Sequence, residues 1–189
     1  MQARHDEARR EIEAARQCDP VSPVVNAFVS YIHLEARQYD RAVVAAQNAI
    51  ELDSAAPLSY FLLGRAYAKV GHFQRAVDAL TDAVRLGGNV PRFEGSLGYA
   101  YARVGRRVEA EAILERFRHG LLASVISRVE GALISLGLGA TEAALTGLEA
   151  AHAARLPSAV VAGDPFFSDL ANESRYRELM ARLRLPVQG

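Results

Sequence analysis

None of the residues able to do covalent or metal chemistry stands at the spacing that chemistry requires. The five histidines (His5, His33, His72, His119 and His152) are scattered, with no pair four residues apart as on a metal-binding helix. The lone cysteine, Cys18, precedes Asp19-Pro20 in an expected turn and excludes an internal disulfide or a Cys-rich metal site. Carboxylates such as Asp78 and Asp82, or Glu109 and Glu111, are dispersed along helix-like stretches as solvated charges, so no nucleophile–base pair can be named. Gly137-Leu138-Gly139 ends a helical stretch instead of opening one after a strand, which is the wrong context for a phosphate loop. No catalytic, cofactor or metal residue is therefore nominated. What remains is non-covalent chemistry, in which aromatic rings and guanidinium groups at helical spacing carry binding energy.

The elements that would position such groups are helices. The chain has 189 residues, half of them apolar and 23% charged, enough to bury a core and too apolar for disorder. Alanine is abundant and tryptophan absent, a helix-forming balance. Lys plus Arg equal Asp plus Glu at 22 each, which argues against a general polyanion binder. Arg103, Arg106, Arg107, Arg116 and Arg118 cluster loosely, but Glu109, Glu111 and Glu115 interleave them, the pattern of a salt-bridged helix surface and not of nucleic-acid binding. No apolar stretch approaches the roughly 18 residues of a spanning helix, and Met1 to Arg16 lack a signal-peptide core. The expectation is a cytoplasmic chain, with the extracytoplasmic sensor region of a larger membrane protein as the alternative.

The dominant signal is an internal period of 34 residues. A frame starting at Pro57 holds Tyr60, Leu63, Gly64, Tyr67, Gly71, Ala76, Leu80 and Ala83. The frame starting at Pro91 repeats it with Leu97, Gly98, Tyr101, Gly105, Ala110 and Leu114, and the one at Pro23 with Val29, Ser30, Ala42, Ala46 and Ala49. From 125 the match thins to Ala132, Gly139, Ala144, Leu148 and Ala151. Position 8 is small in all four copies and position 20 is always Ala, as two closely approaching helix backbones require. A mid-helix Gly costs about 1 kcal/mol against Ala, so Gly64 and Gly98 imply compensating contacts. Gly71, Gly105 and Gly139 fall between paired helices, where a left-handed residue closes a helix; the first copy has only a polar turn around Gln38 there.

This pattern resembles the tetratricopeptide repeat family, whose unit is a helix, a turn and an antiparallel helix. The expected fold is an all-α, right-handed superhelical solenoid of antiparallel helix pairs with a C-terminal capping helix. The expected organisation is a solenoid over 1–158: a half repeat at 4–20, repeats at 23–56, 57–90 and 91–124, and a degenerate repeat at 125–158. A cap segment follows at 159–189. A start halfway through a repeat implies either a solubilising first helix or a fragment of a longer protein.

The resemblance also implies a concave groove lined by the first helix of each pair at positions 2, 5, 9, 12 and 13. Carried onto this sequence, it nominates Tyr31, Phe61, Arg65, Lys69, Arg92, Tyr99 and Arg103 as the partner-binding groove, with aromatic anchors and a basic edge. A protein or peptide partner of acidic character fits such a groove. The carboxylate clamp by which some relatives hold chaperone termini is not expected, because position 6 (Phe28, Leu62, Ser96) and position 9 (Tyr31, Arg65, Tyr99) lack the required Asn.

The tail, Asp164-Pro165-Phe166-Phe167 through Leu170 and then Arg175-Tyr176-Arg177-Glu178-Leu179-Met180, is similar to the end of many bacterial signalling proteins with C-terminal tetratricopeptide repeats. A helix expected from about Asn172 to Leu183 puts Tyr176, Leu179, Met180 and Leu183 on one apolar stripe, able to cover the end of the stack. The expected function is a non-enzymatic protein–protein interaction module, in bacterial signalling or regulation. The alternative is the regulatory or sensor fragment of a transcription regulator, Ser/Thr kinase or cyclase.

Overall fold

A computed structural model describes residues 2–119, 125–154, 164–185 and 187. The end of the degenerate repeat at 155–158 and the small apolar run at 159–163 lie outside the described residues. Among the described residues all regular structure is helical: α1 (Gln2–Cys18), α2 (Pro23–Glu35), α3 (Tyr39–Leu52), α4 (Pro57–Lys69), α5 (Phe73–Gly87), α6 (Pro91–Arg103), α7 (Arg107–His119), α8 (Val125–Gly137), α9 (Thr141–Ala153), a 3-10 helix (Pro165–Leu170) and α10 (Ser174–Arg182). The all-α class and the capping helix follow the sequence expectation. None of these helices is long and apolar enough to cross a membrane.

Local chemistry sets the boundaries. α2, α4 and α6 each begin on proline, whose missing N–H is no loss in the first turn of a helix. The four interhelix turns share one geometry. His72 N–H donates to the Tyr67 carbonyl at 2.9 Å and Gly71 N–H to that of Ala68 at 3.2 Å, and the same pair of bonds recurs at Arg37/Gln38, Gly105/Arg106 and Gly139/Ala140. The left-handed residue closing them is Gly71, Gly105 or Gly139, and in the first repeat it is Arg37 with φ +58°. The polar turn expected around Gln38 is thus present, with Arg37 in the left-handed position. Gln38 accepts a 2.9 Å hydrogen bond from His33 Nδ1 through its side-chain oxygen.

The chain divides into two compact units, Met1–Val90 and Pro91–Gly189. In the first, α2 pairs with α3 and α4 with α5, α3 and α2 both pack on α4, and α1 lies on α2. The small positions make the pairing possible. Ser30 Oγ donates to the Ala42 carbonyl at 2.8 Å, joining position 8 to position 20. At Gly64 a Cβ would lie 2.5 Å from Leu80 Cγ and 3.2 Å from the Ala76 carbonyl oxygen, so the same two positions touch one repeat later. The four position-20 alanines (Ala42, Ala76, Ala110 and Ala144) are all completely buried.

In the second unit α6 packs on α7 and α8, and α8 on α9. α10 docks on α9, burying Tyr176, Leu179 and Met180. Arg175 anchors it. Its Nε and Nη2 grip both oxygens of Glu149 at 3.0 and 2.6 Å, while Nη1 donates to Glu142 at 2.6 Å. The hydrogen bond from Arg175 holds the Glu149 carboxyl below the usual glutamate range.

Two outcomes follow. Gly64→Leu overpacks the contact with Leu80 and should cost about 1–3 kcal/mol or more. Gly105→Ala meets nothing within 4 Å but sits at φ +82°, so it should cost only about 1–2 kcal/mol through the backbone. Urea titration of both variants checks the contrast. The second outcome concerns pH. Because the folded Glu149 value is depressed, its contribution is present above the ordinary carboxylate range near pH ~4.3 and is lost as pH falls through the folded value. Hydrogen-exchange protection of 174–182, corrected for intrinsic rate, should drop there in the native chain, and Arg175→Ala should abolish that dependence.

Candidate protein-interaction surface

The nominated residues lie on α2, α4 and α6, and each unit gathers its own set. In the first unit Tyr31 on α2 is 43% exposed, whereas Phe61 and Arg65 on α4 are each 4% exposed. One turn separates Phe61 from Arg65, and the guanidinium carbon sits 5.5 Å from the ring centroid. Lys69, a further turn on and half-buried, places its Nζ 5.6 Å from the ring centroid of Tyr39. Tyr39 opens α3, outside the first helices that sequence reasoning searched. It escaped notice for that reason.

In the second unit Tyr99 is 4% exposed and Arg103 is exposed. Arg103 Nη1 donates to Tyr99 Oη at 2.7 Å, and its guanidinium lies 5.6 Å from the same ring centroid. Phe61–Arg65 and Tyr99–Arg103 are therefore the same device, set at positions 5 and 9 of one unit and 9 and 13 of the other, an aromatic ring bearing a cation one turn later. Glu94 on α6 is buried and ion-paired with Arg116 at 3.1 Å, consistent with a structural role.

The tail meets these residues. Asp164 caps the 3-10 helix by accepting from Phe166 N–H at 3.0 Å, and its other oxygen lies 3.7 Å from Arg92 Nη2. Phe166 sets its ring edge-on to Tyr99, with centroids 4.9 Å apart and planes at 86°. Phe166, Phe167 and Leu170 are buried. Sequence reasoning gave the capping role to the helix expected at about Asn172–Leu183 and left Phe166, Phe167 and Leu170 without a partner face. The 3-10 helix lies against Arg92 and Tyr99. The available signal was complementarity: an acid–proline–aromatic run against a basic and aromatic helix face.

Known proteins agree with this architecture. The family model for the tetratricopeptide repeat matches residues 58–86, which span nearly all of α4 and α5. No curated protein matches the sequence significantly. Among solved structures, the chain is similar to MamA (TM-score 0.59, 20% identity, covering 80% of this chain and 89% of that one). It is also similar to TTC0263, a thermophilic tetratricopeptide-repeat protein of Thermus thermophilus (TM-score 0.67, 20% identity, 97% and 90% covered). A third is YrrB, described as a tetratricopeptide-repeat protein with an unusual peptide-binding site (TM-score 0.56, 17% identity, 91% and 90% covered). These define the class as an all-α solenoid of tetratricopeptide type. The matched helix pair supports the repeat family itself.

Since Phe166 closes over Tyr99, Phe166→Ala should remove about 3–5 kcal/mol from the stability of the second unit. Guanidinium unfolding followed by near-ultraviolet tyrosine signals measures it, and a loss below about 1 kcal/mol would show the ring to be only resting on the surface.

Proposed function

We propose that the protein is a non-enzymatic interaction module that takes peptide-like segments with acidic and aromatic residues on the first helices of its repeats. Each unit offers contacts of its own, Tyr31 and Lys69 in the first, and Arg92 and Arg103 in the second. Phe61 and Tyr99, each nearly buried, hold Arg65 and Arg103 beside their rings and shape the floor. The observation that carries this is the chain's own tail. An aspartate and a phenylalanine lie on Arg92 and Tyr99, an intramolecular instance of the chemistry that the groove selects. Charge-assisted contacts at half-exposed guanidiniums favour carboxylates, and aromatic rings set edge-on supply the apolar part.

Two likenesses support a peptide ligand and a regulatory setting. YrrB, similar in fold, is described by its peptide-binding site. The tail motif resembles that of repeat regions in bacterial signalling proteins, which favours a cytoplasmic scaffold or sensor in regulation. Such a module takes its specificity from the side chains at positions 9 and 13, because these differ among repeats while the small positions do not.

The test leaves the buried residues alone. Lys69→Ala with Arg103→Ala should lower recovery of bound proteins severalfold in affinity purification with mass spectrometry, at unchanged thermal stability. The bound set should also fall away with rising salt, as contacts between exposed charges do. Equal recovery from the native and doubly substituted chains would remove the basic edge from the binding surface.

A further inference from the structure

In the first unit, large side chains at positions 7, 11 and 19 of the repeat fill the space between α3, α4 and α5. Leu63 and Tyr67 are buried, and the Tyr67 hydroxyl accepts from Gln47 Nε2 on α3 at 3.2 Å. The Arg75 guanidinium lies 5.7 Å from the centroid of the same ring. The neighbouring repeats carry Val29, His33 and Arg41, or Leu97, Tyr101 and Glu109, at these positions. In the degenerate repeat all three become small, as Gly131, Ser135 and Ala143.

The fold does not close over the loss. The equivalent helices, α7, α8 and α9, surround a cavity of about 270 Å³ onto which Gly131, Ser135 and Ala143 open. Leu114 and Phe117 of α7, both buried, make its apolar wall. Leu114 leans in until its Cδ1 is 3.3 Å from where a Cβ on Gly131 would stand, and the cavity is what remains. α8 and α9 cannot move together to fill it. They already touch at Gly147, where a Cβ would lie 3.1 Å from Ala132 Cβ. An apolar cavity of about 150 Å³ is enough to take up benzene, so this one has room for a ring and a short chain.

Its polar groups are sorted by depth. Arg118 and Arg128, both exposed, stand at the rim. Arg118 pairs with Glu115 at 3.0 Å, and with that acid counted the two guanidiniums still leave the rim positive. Ser135, buried, donates to the Gly131 carbonyl at 2.9 Å, and a hydroxyl that donates keeps lone pairs with which to accept.

We propose that this cavity is a binding site for a small aromatic carboxylic acid, a single ring bearing a short acidic chain. The ring takes the place that the side chains of positions 7 and 11 fill in the other repeats, against Leu114 and Phe117. The carboxylate turns outward to Arg128 and Arg118, whose planar guanidiniums match it. A hydroxyl on the ring donates to Ser135 Oγ. The site shares no residue with the basic and aromatic surface of the first helices.

The probe is para-fluorophenylacetate, followed by fluorine NMR in the presence of the full chain. Its signal should change saturably, half-maximal at about 1 mM or below, and para-hydroxyphenylpropionate should displace it. The amine of the same ring, para-fluorophenethylamine, should bind about tenfold more weakly or not at all. Ser135→Tyr restores the ring of the other repeats and should abolish binding, with helix content checked by circular dichroism. Ala143→Leu, at an exposed position where folding is not at stake, should crowd the mouth and weaken binding severalfold. Arg128→Ala should weaken it severalfold and narrow the preference for acid over amine. Lys69→Ala with Arg103→Ala should leave binding intact, which separates this site from the peptide surface. The proposal is overturned if the native chain gives no saturable change or if the amine binds as well as the acid. It is also overturned if Ser135→Tyr and Ala143→Leu both bind the probe as the native chain does.

Discussion

The close approach of two helix backbones at position 8 is the constraint on which the rest depends. At Gly64 the space a methyl group would need is already filled by Leu80 and the Ala76 carbonyl. At the equivalent place in the first pair, Ser30 turns its hydroxyl into the contact and hydrogen-bonds the Ala42 carbonyl. Both solutions keep the backbones near, and both leave the larger side chains of positions 7, 11 and 24 to fill the space around them. A helix pair so fixed has a defined outer face. The side chains on that face are thereby held in place by the packing beneath them, as preorganisation of any binding surface requires.

On that face the recurring device is an aromatic ring with a cation one helical turn further on. Phe61 with Arg65 and Tyr99 with Arg103 place a guanidinium over a ring at nearly the same distance. The ring restricts where the flexible cation can go, with Arg65 buried in the first unit and Arg103 exposed in the second. In the second unit the tail adds an acid beside Arg92 and a second ring against Tyr99. The aspartate there has two roles, ending one segment as a helix cap and neutralising Arg92 on another.

Electrostatics at the far end of the second unit are of a different kind. Arg175 forks onto Glu149 and reaches Glu142, fastening the last helix to α9 through three charge-assisted hydrogen bonds over an apolar stripe that is already buried. Exposed pairs of this sort contribute only modestly to stability. They orient α10 so that Tyr176, Leu179 and Met180 face inward.

The repeat phase, the antiparallel pairing, the prolines that open helices and the glycines that close them were all legible in the residues. Each depends on neighbours within a single 34-residue unit, where size and backbone preference act locally. The first turn shows the edge of that rule. Arg37 adopts the left-handed conformation a glycine would take, because the surrounding hydrogen bonds demand it whatever the side chain. Exposure was not legible. Phe61, Arg65 and Tyr99 look like surface groove residues by their position in the unit, and all three are almost wholly buried. Only the folded chain brings Phe166 onto Tyr99 and Asp164 to Arg92, because those partners lie two repeats apart in sequence. Contacts of that separation are decided by how units and tail pack, which no local pattern of residue types encodes.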